Sequence, residues 1–63
     1  MNHIENIQHA GRTFSIDEGL YCEGQYTVST IETDDQGEYI EPFDYSTPYL
    51  ESARMFASWV AWQ

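Results

Sequence analysis

Cys22, His3 and His9 carry the only thiol and imidazole groups in the chain, so they are the first candidates for covalent or metal chemistry. A thiol becomes a nucleophile when a neighbouring base or cation lowers its pKa, and either histidine could in principle be that base. The surroundings of Cys22 are anionic, which raises a thiol pKa instead. A lone cysteine is most often a small buried hydrophobe, and Cys22 is expected to be one. The spacing of His3, His9 and Cys22 matches no zinc pattern. Asp34-Asp35-Gln36-Gly37 is too short for a calcium loop. Carboxylates could pair as general acid and base, but here they spread through turns and an exposed strand of a domain too small to enclose a deep cleft. No glycine-rich loop precedes a helix, and without lysine a phosphate site is not expected. The sequence therefore points to no catalytic residue, metal or cofactor, and to a protein that is not an enzyme.

Charge is the more informative signal. Eleven carboxylates face two arginines, giving a formal net charge of −9 on 63 residues, with no lysine and no basic residue between Arg12 and Arg54. Such a chain repels nucleic acid and anionic membranes, and attracts basic surfaces of the kind that hold nucleic acid. A solvated acidic face that keeps a small protein soluble is the simpler explanation. Three features favour binding instead. The bias is one-sided, tyrosines (Tyr21, Tyr26, Tyr39, Tyr45, Tyr49) recur among the acids, and tyrosine is enriched at interface hot spots. Asp34 and Asp35 also sit at an expected hairpin tip, where carboxylates can meet arginines bidentately. The expected contacts are Glu32, Asp34, Asp35, Glu38, Tyr39 and Glu41, with Glu23 and Asp44 flanking.

These groups must be positioned by a domain near the lower size limit for unaided folding. Aromatic residues make up 16% of the chain and hydrophobic residues 41%, which disfavours disorder. One cysteine allows no internal disulfide. The N-terminus lacks a signal-peptide pattern, and no apolar run is long enough to span a bilayer. One soluble cytoplasmic domain covering 1–63 is expected.

Strands are expected over roughly 3–9, 12–16, 25–33 and 38–43, and a helix over 48–62. Ile4 and Ile7 break strict alternation, which fits either a bulged first strand or a loose arm. Ala10-Gly11 reads as a turn, and Phe14 and Ile16 alternate onto one side. Leu20 and Tyr21 are expected to fold back onto the core. Asp34 to Gly37 reads as a hairpin loop, which would set Thr33 opposite Glu38, Ile31 opposite Ile40 and Thr30 opposite Glu41. Val28 and Phe43 then fall on the same face as Glu32, Tyr39 and Glu41, so a bulge or partial cover of both faces is needed. Pro42 assigns the last strand to an edge or marks its end. Thr47 reads as the helix N-cap and Pro48 as its first residue. Leu50, Ala53, Phe56, Ala57 and Val60 form one apolar stripe. Met55, Trp59 and Trp62 form a second, surplus to a one-faced packing. The fold class is α+β, an antiparallel sheet of three or four strands with one C-terminal helix packed on one face.

The stretch Phe43-Asp44-Tyr45-Ser46-Thr47-Pro48-Tyr49-Leu50-Glu51-Ser52 resembles the strand-to-helix junction of some small phage-encoded anti-CRISPR proteins. There Phe-Asp-Ser-Thr precedes a helix that opens Leu-Glu-Ser, and Tyr45 stands as an insertion. The resemblance covers about ten residues and implies a small sheet-plus-helix protein that blocks the nucleic-acid groove of a CRISPR surveillance complex or a similar effector. It assigns a role to no individual residue. The function expected is a non-enzymatic inhibitor that binds a basic, nucleic-acid-handling host protein. The alternative is a small homo-oligomeric adaptor that associates through Met55, Trp59 and Trp62.

Overall fold

The computed structural model describes the backbone of all 63 residues and every side chain except that of Asp44, whose expected flanking contact lies outside the described residues. Four strands, β1 (Asn2–His9), β2 (Arg12–Glu18), β3 (Tyr26–Asp34) and β4 (Gly37–Thr47), are followed by one helix, α1 (Leu50–Ala61). The strands form an antiparallel meander in the order β1-β2-β3-β4. Its connections are local, so each strand finds its partner at little loop-closure cost.

The β1–β2 hairpin turns on Ala10 and Gly11, at φ 52° and 77°. Two residues with positive φ match the right-handed twist of the flanking strands. From this turn His9 pairs with Arg12, and the register runs unbroken to Glu5 opposite Ile16. It then slips at Ile4, which brings His3 opposite Asp17. The N-terminal segment is thus a bulged sheet strand.

The expected pairing of β3 with β4 is found, with Thr33 opposite Glu38, Ile31 opposite Ile40 and Thr30 opposite Glu41. The turn is tighter than a four-residue loop, because Asp34 already pairs with Gly37. Asp34 Oδ1 accepts the Gln36 backbone N–H at 2.8 Å, and Gly37 takes φ 117°. Further along, a register shift between Thr27 and Ser29 supplies the bulge that Val28 and Phe43 required. β4 continues through Pro42 as an edge strand and ends at Thr47, opposite Tyr26.

That pairing displaces the helix start. A residue before proline is biased to extended backbone, so Thr47 remains in the strand and Pro48 precedes α1 instead of opening it. Tyr49 is the N-cap, without a side-chain cap. Thr47 Oγ1 accepts the Tyr49 N–H at 3.2 Å.

The core lies between α1 and one sheet face. Phe14, Ile16 and Val28 are fully buried against Ala53, Ala57, Val60 and Ala61. The three alanines recur every four residues and let the helix approach the strands closely. The seam is therefore centred on them, while Leu50 and Phe56 are only partly buried at its sides. Phe56 stacks on Tyr45, with centroids 4.0 Å apart, and meets Phe43 edge-on at 5.8 Å. Leu20 and Tyr21 do not join this core. They belong to the β2–β3 loop, which leaves Tyr21 exposed.

Candidate functional site

The placement of the two arginines decides how the acidic surface behaves. Arg54 Nε donates to Glu5 Oε1 of β1 at 2.6 Å, and Arg54 also pairs with Glu51 one turn earlier on α1. Hydrogen bonds to Glu5 and then Glu51 raise the Arg54 pKa above its ordinary value. Arg12 lies over the Phe14 ring, 5.3 Å from its centroid, and its Nη1 donates to the Val60 carbonyl at 3.3 Å. It thus serves the C-terminal end of a helix with no basic residue in its last turn, where carbonyls and macrodipole favour a cation. Both cations fasten the helix to the sheet.

Among the described residues, the other acidic groups have no arginine partner. Every residue from Thr33 to Pro42 is exposed, so the β3–β4 hairpin presents both faces to solvent. Glu32 opposes Tyr39 and Thr30 opposes Glu41, which puts Glu32, Tyr39 and Glu41 on the helix side. Glu38 stands on the opposite side and Asp35 at the turn. Asp34 is partly committed to the turn through Gln36. Glu23 is not part of this group. It lies in the β2–β3 loop, at the other end of β3 from the hairpin tip. The meander also puts the β1–β2 turn at the hairpin-tip end. The contact between Arg12 and Val60 brings the negative end of α1 to the same end.

The residues of the second expected surface are exposed, and two of them share a hollow that Trp62 does not line. Met55, Trp59 and Trp62 are 71%, 60% and 74% exposed. Met55 and Trp59 join Tyr45, Ser52 and Phe56 around a shallow apolar hollow of about 390 Å³ between α1 and the β4 edge.

Cys22 departs from expectation. It is exposed in the loop between Glu18 and Tyr26, because that segment lies outside the sheet. The loop is closed by Gly19 N–H to the Gln25 carbonyl at 2.9 Å and by Gly24 N–H to the Glu18 carboxylate at 3.1 Å.

One constellation was not anticipated from the sequence. His3, Ser15 and Asp17 meet on the sheet face opposite α1, and Ser15 and Asp17 are almost fully buried. His3 Nδ1 lies 2.8 Å from Asp17 Oδ1 and 3.2 Å from Ser15 Oγ, and Ser15 Oγ donates to Asp17 Oδ2 at 3.0 Å. These are the residue types of a hydrolytic triad, but a triad needs the serine on Nε2 and the aspartate on Nδ1. Here one nitrogen faces both oxygens and the serine proton goes to the aspartate. The trio satisfies a buried carboxylate. Its only sequence signal is Ser15 and Asp17 at strand spacing opposite a bulged β1.

No cluster of three or more His, Cys, Asp or Glu side chains suited to a metal occurs among the described residues. No helix is long and apolar enough to cross a membrane. Comparison with protein-family models, curated proteins and solved structures gave no match.

Proposed function

We propose that this chain is a non-enzymatic inhibitor whose acidic, tyrosine-bearing hairpin occupies the basic nucleic-acid-binding surface of a host protein or complex, such as a CRISPR surveillance complex. One observation carries the reading: both arginines are spent on holding α1 to the sheet, so the hairpin carboxylates project uncompensated. Glu32, Asp34, Asp35, Glu38 and Glu41 supply the charge and Tyr39 the apolar contact. Uncompensated charge on an exposed ribbon accelerates encounter with a basic groove and makes binding salt-sensitive. The fixed carboxylates then stand where phosphates would otherwise meet arginine.

The test is retention of host proteins on the immobilised chain. Nucleic-acid-binding proteins should be captured at low salt, released by added nucleic acid and by high salt, and lost with Asp34→Lys, Asp35→Lys and Glu38→Lys combined. Capture of nothing basic, or capture indifferent to these reversals, would sink the proposal.

The exposed tryptophans favour a second reading, a homo-oligomeric module in which a second copy covers the α1–β4 hollow. Met55, Trp59 and Trp62 leave on the order of 400–500 Å² uncovered per copy. Two copies together only approach the roughly 1,000 Å² of a specific interface. Like charge opposes the pairing, so association should be weak, strengthened by salt and dependent on concentration.

A further inference from the structure

The sheet face opposite α1 is largely polar, with Ser15, Asp17, Thr27 and Ser29 buried at its centre and the Ile31–Ile40 pair crossing it towards the hairpin tip. One row across it runs Asn6, Ser15, Ser29 and Pro42, and the next runs from His3 through Asp17 and Thr27 to Ser46. Towards the hairpin tip, Gln8 pairs with Thr13 and Thr33 with Glu38. There the face sinks into a hollow of about 500 Å³, lined among others by Asn6, Gln8, Thr13, Ile31, Thr33 and Glu38. Arg12 and Glu32 also border it, but the Arg12 guanidinium is held over Phe14 and at Val60. The hollow is therefore anionic, with no cation of its own directed to it.

Its lining is rich in acceptors. Among the lining residues Glu38 offers a carboxylate, Asn6 and Gln8 amide oxygens and Thr13 and Thr33 hydroxyls, beside the apolar side chain of Ile31. In the adjoining row the Ser29 hydroxyl is buried without a hydrogen-bond partner, but it lies beneath the face and outside the lining of the hollow. A guanidinium suits the hollow. It is planar, carries five donors in a fixed fork, pairs bidentately with carboxylate and lays its weakly hydrated face and alkyl stem on apolar surface. An ammonium has three donors at one point and would leave more acceptors unmet.

We propose that this hollow seats an arginine side chain of the protein's partner, with Glu38 as the bidentate acceptor and Asn6, Gln8, Thr13 and Thr33 completing the shell. The site deepens the reading of the hairpin as a partner-binding element and rests on it. It also gives Glu38, on the far side from Glu32, Tyr39 and Glu41, a role of its own.

The test is a nitrogen-15 NMR titration of the full chain at low salt with N-acetyl-arginine amide and, separately, N-acetyl-lysine amide. Arginine should shift the signals of Asn6, Gln8, Thr13, Thr33 and Glu38 as a group, with the lysine analogue clearly weaker. Glu38→Gln should weaken arginine binding by about tenfold, roughly one charge-assisted pair. Asp35→Asn, at the turn, should change it little. Both sites are exposed, and the same spectra report whether each variant remains folded. Equal shifts with lysine, shifts spread over all carboxylates, or indifference to Glu38→Gln would overturn the proposal. If a basic partner is captured as well by Glu38→Gln as by the parent chain, the arginine seat fails and the broader reading stands. A specific arginine titration without any captured partner supports the seat and counts against the broader reading.

Discussion

Arg54 of α1 grips Glu5 of β1 through both carboxylate oxygens, with Nε to Oε1 at 2.6 Å and Nη2 to Oε2 at 3.4 Å. The two residues stand at opposite ends of the sequence, so this contact ties the last element to the first. Arg54→Met and Glu5→Gln should each lower the thermal midpoint, and the double variant should fall by less than the sum, as contacting partners do. Additive losses in a double-mutant cycle would show that the pair does not act as a fastener. High salt should narrow the difference between parent and variants, because the pair is partly exposed.

Ala10 is the one non-glycine residue with positive φ. A left-handed alanine costs about 1–2 kcal/mol, whereas glycine adds roughly 0.4–1 kcal/mol of unfolded-state entropy. The first effect is larger, so Ala10→Gly should stabilise the protein by about 0.5–1 kcal/mol, a rise of a few degrees in midpoint. A lower midpoint would mean that the turn is not built on this conformation.

Phe14 is fully buried and contacts the helix seam. Truncating such a residue to alanine costs about 3–5 kcal/mol, while a domain of this length holds roughly 3–9 kcal/mol in total. Phe14→Ala should leave a largely unfolded or barely cooperative chain by circular dichroism. Ala57→Leu, which overfills the seam between α1 and the sheet, should cost about 1–3 kcal/mol. If both melt like the parent, α1 does not pack as described.

Removing the Asp17 carboxylate takes from buried Ser15 its acceptor and from half-exposed His3 its closest partner. Asp17→Ala should destabilise by about 1–3 kcal/mol. Ser15→Ala should cost less, since His3 and Asp17 keep each other. The reverse order in urea unfolding would contradict the hydrogen-bond arrangement.

Trp59→Ala removes the largest exposed ring at the α1–β4 hollow and should leave the thermal midpoint nearly unchanged. If a second copy occupies the hollow, sedimentation equilibrium at high concentration should show a weak dimer in 0.5 M salt (roughly a 4 Å screening length) that this variant abolishes. An equally dimeric Trp59→Ala, or a parent chain monomeric throughout, would dismiss the association.

Much of the fold was legible in the sequence because its signals are local. The Ala10-Gly11 turn, the β-rich runs and the Asp34–Gly37 turn set each register within a few residues of its origin. The Met55, Trp59 and Trp62 stripe followed from helical spacing alone. The helix start was misread, because cap preference favoured Thr47 while its sheet pairing with Tyr26 won. Cys22 was misplaced because a residue-type tendency toward burial says nothing about a loop outside the core.

The sequence by itself determined that the chain is an acidic antiparallel sheet of three or four strands with a helix carrying more apolar surface than one sheet face can bury. Alternation, turn residues and charge count are properties of neighbouring residues and need no third dimension. Only the tertiary structure decided that Arg12 and Arg54 are engaged within the molecule, that His3 reaches Asp17 through the slip at Ile4, and that Glu38 shares a hollow with residues of β1 and β2. Each depends on a contact between distant parts of the chain, or on a bulge that alters register, and one misplaced residue in a strand reverses every side chain beyond it.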